Sequence, residues 1–328
     1  MKAALAPPDF NIGQFEGIPD KYDGKSLTQC YKAVVDISSL GLTDAKDTYI
    51  IQSPIPGVSF LYGQYDSGTG TIALNPYFYP GYDTQFPLNF EDRNIESFRF
   101  GGAAIEIVPT VNAMTWTGNV QCTRGVVSLE TSGYSAAAGN LCAVGLSSLL
   151  YSTKPDALHP FNQGLYAVAS FADEFHTFRP IQAATLFSEV AVTSYSAGAL
   201  CNWNQSVPFM GIGGMETTVI KIPAWSATTN LGVVRTWASL EYRCGSASLY
   251  YDFQRPSAPY DPVALLLARK AMLELPTCMP YYKNAGFWEE VLKWLKTVSS
   301  MASFLPGPVG EVAAGVSIAA TGLEALVL

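Results

Sequence analysis

Met114-Thr115-Trp116-Thr117-Gly118-Asn119-Val120-Gln121-Cys122-Thr123 alternates apolar with small or polar side chains. A strand turns successive side chains to opposite faces, so this period of two reads as a half-buried β-strand. Working outward, similar short runs occur at Tyr31 to Ile37, Thr48 to Gln52, Ser59 to Tyr65, Ala103 to Val108, Gly164 to Phe171, Thr217 to Ile222 and Val233 to Arg243. Clusters of Gly, Pro, Ser and Asn separate them, as turns require. About eight strands with no amphipathic helix between them predict a mainly β fold. The expected form is an eight-stranded antiparallel jelly-roll sandwich with long loop insertions, followed by C-terminal helices.

The change of character comes after Pro259. Asp261 is placed to cap a helix from Pro262 to about Leu275, with proline at the first helical position, and Pro276 and Pro280 end it. A second helical pattern starts at Phe287. Phe287, Trp288, Val291, Leu292, Leu295, Val298, Met301, Ala302 and Leu305 recur at helical spacing, with Glu289, Glu290, Lys293 and Lys296 on the other side. Pro306-Gly307-Pro308 stops it, because proline lacks the amide hydrogen and disfavours helix in the residue before it.

Charged residues make up only 14 % of the 328, against about 25 % in ordinary soluble domains, and mean hydropathy is +0.16. That composition excludes disorder and implies a large buried or interfacial area. The net charge of −8 opposes bulk attraction to a polyanion. Six cysteines without a CxxC pair, and only His159 and His176, argue against zinc and for reduced, buried thiols. No secretory signal is read at Met1 to Asp9. Val309 to Leu328 is apolar but carries Glu311 and Glu324, which suits a membrane-active segment better than a spanning one.

Few constellations suggest chemistry. There is no GxSxG, and both histidines sit in apparent loop or packing contexts, so a Ser-His-Asp hydrolase is set aside. Gly211-Ile212-Gly213-Gly214 lacks the Lys-Ser/Thr of a phosphate loop. The aromatic content of 12 % leaves a sugar- or receptor-binding β-sandwich as an alternative. Asp92, Asp173 and Glu174 are candidate oxygen ligands for Ca²⁺, if folding or assembly gathers them. Asn284-Ala285 precedes the amphipathic helix, and Asn112-Ala113 repeats the dipeptide. An Asn side-chain amide can attack its own main-chain carbonyl and break the chain if a nearby acid polarises that carbonyl.

Ala6-Pro7-Pro8-Asp9-Phe10-Asn11 and Gly17-Ile18-Pro19-Asp20-Lys21-Tyr22-Asp23-Gly24-Lys25 resemble the start of the ordered shell region in the capsid proteins of insect nodaviruses (alphanodaviruses). Further matches are Ser97-Phe98-Arg99, Met114 to Gly118, Trp237 through Glu241-Tyr242-Arg243, Asp261 to Leu265, Asn284-Ala285 with Trp288-Glu289, and Pro306-Gly307-Pro308-Val309-Gly310. The resemblance implies a jelly-roll subunit, 180 copies of which form a T=3 icosahedral shell around positive-strand RNA. It divides the chain into an internal segment 1–27, a shell domain with protruding loops 28–258, a helical segment 259–284 inside the shell, and a released peptide 285–328.

The same resemblance implies one autocatalytic cut after assembly, at Asn284-Ala285, with Asp9 as the catalytic acid and no cofactor needed. Phe287, Trp288, Val291, Leu292, Trp294 and Leu295 then belong to the peptide that breaches the host membrane. Ca²⁺ at subunit interfaces is implied through Asp92, Asp173 and Glu174. RNA contact is expected mainly through a basic N-terminal arm, which this sequence lacks, and a host receptor is implied without being identified. The expected locations are the virion and, during assembly, the host cytoplasm. Two rivals stay open: a capsid protein that leaves Asn284-Ala285 intact, and the binding module.

Overall fold

The computed structural model of the chain describes residues 16–42, 46–52, 57–68, 70–80, 95–110, 118–125, 142–145, 156–169, 177–180, 217–225, 231–262, 264–266, 268–269 and 275–281. Its strands, in chain order, are β1 (Lys25–Asp36), β2 (Thr48–Gln52), β3 (Val58–Asp66), β4 (Thr71–Phe78), β5 (Ile95–Pro109), β6 (Asn119–Gly125) and β7 (Cys142–Gly145). Then follow β8 (Ala157–Pro160), β9 (Leu165–Val168), β10 (Arg179–Pro180), β11 (Thr217–Ile222), β12 (Gly232–Cys244) and β13 (Arg255–Pro256).

Two antiparallel sheets result. One runs β10-β5-β12-β1-β13, with β9 also on β5; the other runs β7-β4-β3-β2-β11-β6-β8. The long strands β5 and β12 form the spine of the first sheet, in register from Gly232 opposite Pro109 to Cys244 opposite Ile95. The register slips where Ser239 faces Gly102 but Leu240 faces Phe100, leaving Gly101 as an extra residue. Such a bulge bends the strand and increases its twist.

The core fills the space between the sheets. Ile50, Phe60, Ile105, Ile107, Val120, Cys122, Phe161, Ile220, Ile222 and Val234 form one cluster, and Phe60 stacks on Tyr77 at 5.1 Å. Strand β1 shows why it forms: Tyr31, Ala33 and Val35 are buried while Lys32, Val34 and Asp36 are exposed. Strand β12 begins with the same alternation but is buried on both faces from Ala238 to Tyr242, and β5 is buried on both faces from Ser97 to Ile107. Another layer of chain must therefore cover the outer face of these strands, and the segment before β1 supplies part of it.

Asp261 caps as its sequence predicts. Its carboxylate accepts from the Ala264 amide at 2.9 Å and its carbonyl accepts from Leu265 at 3.2 Å, and residues 262, 264–266 and 268–269 are helical. The expected helix starting at Phe287 lies outside the described residues. So does the first half of the Met114 to Thr123 stretch; its second half is β6. One expectation is corrected: Cys30 is exposed, because it sits on an outward-facing position of β1, whereas Cys122, Cys244 and Cys278 are buried.

Burial raises the phenols of Tyr79 and Tyr242 and pushes the Cys244 thiol up to about 11. The Cys278 thiol beside it, and then burial, raise Cys122. In the unfolded chain these groups ionise near 8.5 for Cys and about 10 for Tyr. Above those values the unfolded state binds fewer protons than the folded one, so the stability present at lower pH is lost as pH rises. The urea midpoint of unassembled subunits is expected to hold between pH 7 and 8 and to fall progressively above about pH 9.

Candidate functional site

Among the described residues, a buried cluster of charge lies on the outer face of the first sheet. Arg99 on β5 and Glu241 on β12 are direct cross-strand neighbours, each with a side chain fully shielded from solvent. Each interrupts an apolar run, Phe98-Arg99-Phe100 and Leu240-Glu241-Tyr242. Arg99 Nε donates to Glu241 Oε2 at 2.6 Å, and its Nη1 donates to Asp20. Charges so deep are tolerated only when paired and hydrogen-bonded.

Glu241 also collects three donors, one from the start of β1 and two from outside the strands. Its Oε1 accepts from Ser26 Oγ at 2.5 Å and Ser257 Oγ at 3.0 Å, and its Oε2 accepts from the Ile18 amide at 3.3 Å. Gly17, at φ +105°, permits this approach, since a Cβ there would lie 3.0 Å from Glu241 Oε1 and 3.1 Å from Ser257 Oγ. The guanidinium of Arg99 is stacked 4.2 Å from the Phe178 ring centroid, and Tyr22 packs on Phe178 at 4.9 Å. Arg243 lies 5.4 Å from the Tyr22 ring.

Two distant parts of the chain are fastened together here. The Asp261 amide donates to the Pro19 carbonyl at 2.9 Å, and the Ser257 amide donates to the Gly24 carbonyl at 3.0 Å. Beyond this point residues 262, 264–266 and 268–269 are helical, and the chain is next described at 275–281. There Met279 exchanges two backbone hydrogen bonds with Tyr166 on β9, at 2.8 and 2.9 Å, adding one residue pair to the edge of the first sheet. Cys278 enters the core beside Cys122 on β6. Gly164 makes room for Tyr281, because a Cβ on it would stand 2.8 Å from Tyr281 Cβ.

Asp9, Asn284, Ala285, Phe287, Trp288, Val291, Leu292, Trp294, Leu295, Asp92, Asp173 and Glu174 lie outside the described residues. What is described is the chain that leads to the first three: the strap 17–24, downstream of Asp9, and the segment ending at Tyr281, three positions before Asn284. His159 lies in β8, opposite Val120. Sequence reasoning assigned no role to Arg99, Glu241 or Asp20. The available signal was one charge of each sign set within apolar stretches of two long strands.

The sequence model of the Peptidase A6 family matches residues 1–325. The capsid protein alpha of Black beetle virus is 30 % identical over 344 residues, covering 99 % of this chain and 82 % of the relative. That of Flock house virus is 29 % identical with the same coverage, and that of Pariacoto virus is 26 % identical over 96 % of this chain and 83 % of its own length. Among solved structures, the fold resembles that of infectious bursal disease virus Gx strain. The TM-score is 0.53 at 9 % identity, over 88 % of this chain and 98 % of that one.

Proposed function

The chain belongs to the Peptidase A6 family and is a self-cleaving viral capsid protein, and on that premise we propose that it cuts its own Asn284-Ala285 bond once, with Asp9 as the acid. The carrying observation is a family match that spans both ends, so that Asp9 and Asn284 fall within one matched unit. In this reading the Asn284 side-chain nitrogen attacks the Asn284 carbonyl carbon. A C–N bond forms to close the imide, the peptide C–N bond to Ala285 breaks, and the proton lost by the amide goes to the departing Ala285 amine. A protonated Asp9 polarises the carbonyl by donating a hydrogen bond to its oxygen, and a dry assembled interior keeps that carboxyl neutral.

Chain geometry supports the pairing. From Arg99 to Glu106, where Tyr166 lies opposite on β9, is about 20 Å along β5 at the usual rise per residue. The nine residues from Ile18 back to Asp9 reach about 30 Å at most when extended. Asp9 therefore meets the junction after Tyr281 only if the strap runs along the sheet instead of away from it, and the contacts of residues 17–24 start it on that face.

The strand orders β9-β5-β12-β1 and β8-β6-β11-β2 support reading the sandwich as an eight-stranded jelly roll extended by β3, β4 and β7. Homo-oligomeric assembly accords with the capsid relatives. The T=3 shell, enclosed positive-strand RNA and membrane disruption by the released peptide 285–328 complete the proposal.

Intact-mass measurement of assembled particles over time tests it. The expected result is a slow split that yields a new N-terminus at Ala285, and particles of Asp9→Asn that form but stay uncut. Wild-type particles that remain whole, or an Asp9→Asn variant cut at the same rate, would overturn the catalytic assignment.

A further inference from the structure

We infer that Glu241, held by Arg99, is a positioning residue for self-cleavage: it fixes together the two chain segments that carry the acid and the scissile asparagine. The inference rests on the self-cleavage reading and gives these residues a positioning role in it. Its basis is the list of donors that converge on one carboxylate. Ile18 belongs to the strap that follows Asp9, Ser26 to the start of β1, and Ser257 to the segment that leads to Asn284; Arg99 anchors all three to the sheet.

Backbone bonds from Ser257 to Gly24 and from Asp261 to Pro19 repeat the junction on either side of Glu241. Both segments thus leave a common fixed point. The segment after Ser257 is fixed again at Cys278 and Met279, whereas this point is the last described anchor of the strap that follows Asp9. The placement of the acid relative to the asparagine therefore depends on how rigidly the strap is held here. A fully buried ion pair is a poor way to gain stability but a good way to fix register, because neither charge tolerates losing its partner. An intramolecular attack is steeply sensitive to placement, with an error near 1 Å costing about 100-fold in rate.

The test uses purified assembled particles, their cleavage followed by intact mass and their melting followed by light scattering. Ser257→Ala removes one hydroxyl and leaves the ion pair intact. It is expected to slow cleavage about 3- to 10-fold with particle melting unchanged, a modest fraction of the full placement effect. Ser257→Thr keeps the hydroxyl and is expected to restore the wild-type rate. Arg99→Met/Glu241→Leu, which removes both charges together, is expected to assemble and to cleave about 100-fold more slowly.

Wild-type cleavage rates in both Ser257→Ala and the double variant would overturn the inference. So would slowing that tracks a lowered melting temperature and is not rescued by Ser257→Thr, since that pattern marks a structural role only. If wild-type particles are themselves uncut, the self-cleavage reading fails first and this inference falls with it. A cut wild type with equally cut variants overturns the positioning role alone.

Discussion

Methionine in place of Arg99 is expected to destabilise the unassembled subunit by about 3 kcal/mol, at the lower end of the range for breaking a buried ion pair from one side. The loss arises from what is left behind. Glu241 would keep its bonds from Ser26, Ser257 and Ile18 but lose the only cation in direct contact with it among the described residues. Those three donors are why the lower figure applies. Asp20 would lose its Arg99 partner too, but it is part-exposed and water replaces the contact. Adding Glu241→Leu to Arg99→Met removes the orphaned charge, and the double variant is expected to recover most of the loss. Urea unfolding of wild type, both single variants and the double variant measures the coupling directly. Additive losses would show that the pair is not coupled.

Alanine at Gly164 is the second large effect. Gly164 has φ +64° and ψ −176°, a region that only glycine visits without strain. Its Cβ would stand 2.6 Å from the Ile107 carbonyl oxygen, 2.8 Å from Tyr281 Cβ and 2.9 Å from Pro109 Cδ. Two of these obstacles belong to β5, one of the two long strands of the first sheet, and cannot yield cheaply. The backbone strain alone costs about 1–3 kcal/mol, and the steric contacts force either β9 or Tyr281 to move. Soluble yield is expected to fall sharply. Any particles that do form should show Ala285 released much more slowly, because Tyr281 lies three residues before Asn284. Normal yield together with normal cleavage would show that the chain near Tyr281 is free to shift.

How much of this was legible in the sequence depended on the element. Strands β2 and β11 lie where the alternation and flanking turns put them, and β1, β3, β5 and β12 differ mainly by being longer. β5 and β1 start earlier than expected because Glu96, Arg99, Lys25 and Gln29 disguise strand residues as polar linker. β4 was missed because Asn75-Pro76 lies inside it and proline is ordinarily a sign against strand. β7, β8, β10 and β13 are too short to establish a period. The Asp261 cap was legible because capping is a local affair of four residues. The Glu241 junction was not, since its partners are separated by up to 223 positions and nothing in a local window relates Ile18 to Glu241. The proposed cut at Asn284 was suggested by a dipeptide that Asn112-Ala113 repeats; proposing Asp9 required resemblance, because no spacing rule links residues so far apart.

The pairing of β1 with β12 has a consequence for the timing of synthesis. Leu27 must wait for Tyr242, and Asp36 for Val233, so about 200 residues separate a strand from its main neighbour. At a translation rate of about 5–20 residues per second, β1 spends about 10–40 s on the ribosome before that neighbour emerges. The Glu241 junction waits longer still, until Ser257 is available. A nascent chain therefore lacks the fastening between residues 17–26 and 257–261 until Ser257 and Asp261 have emerged.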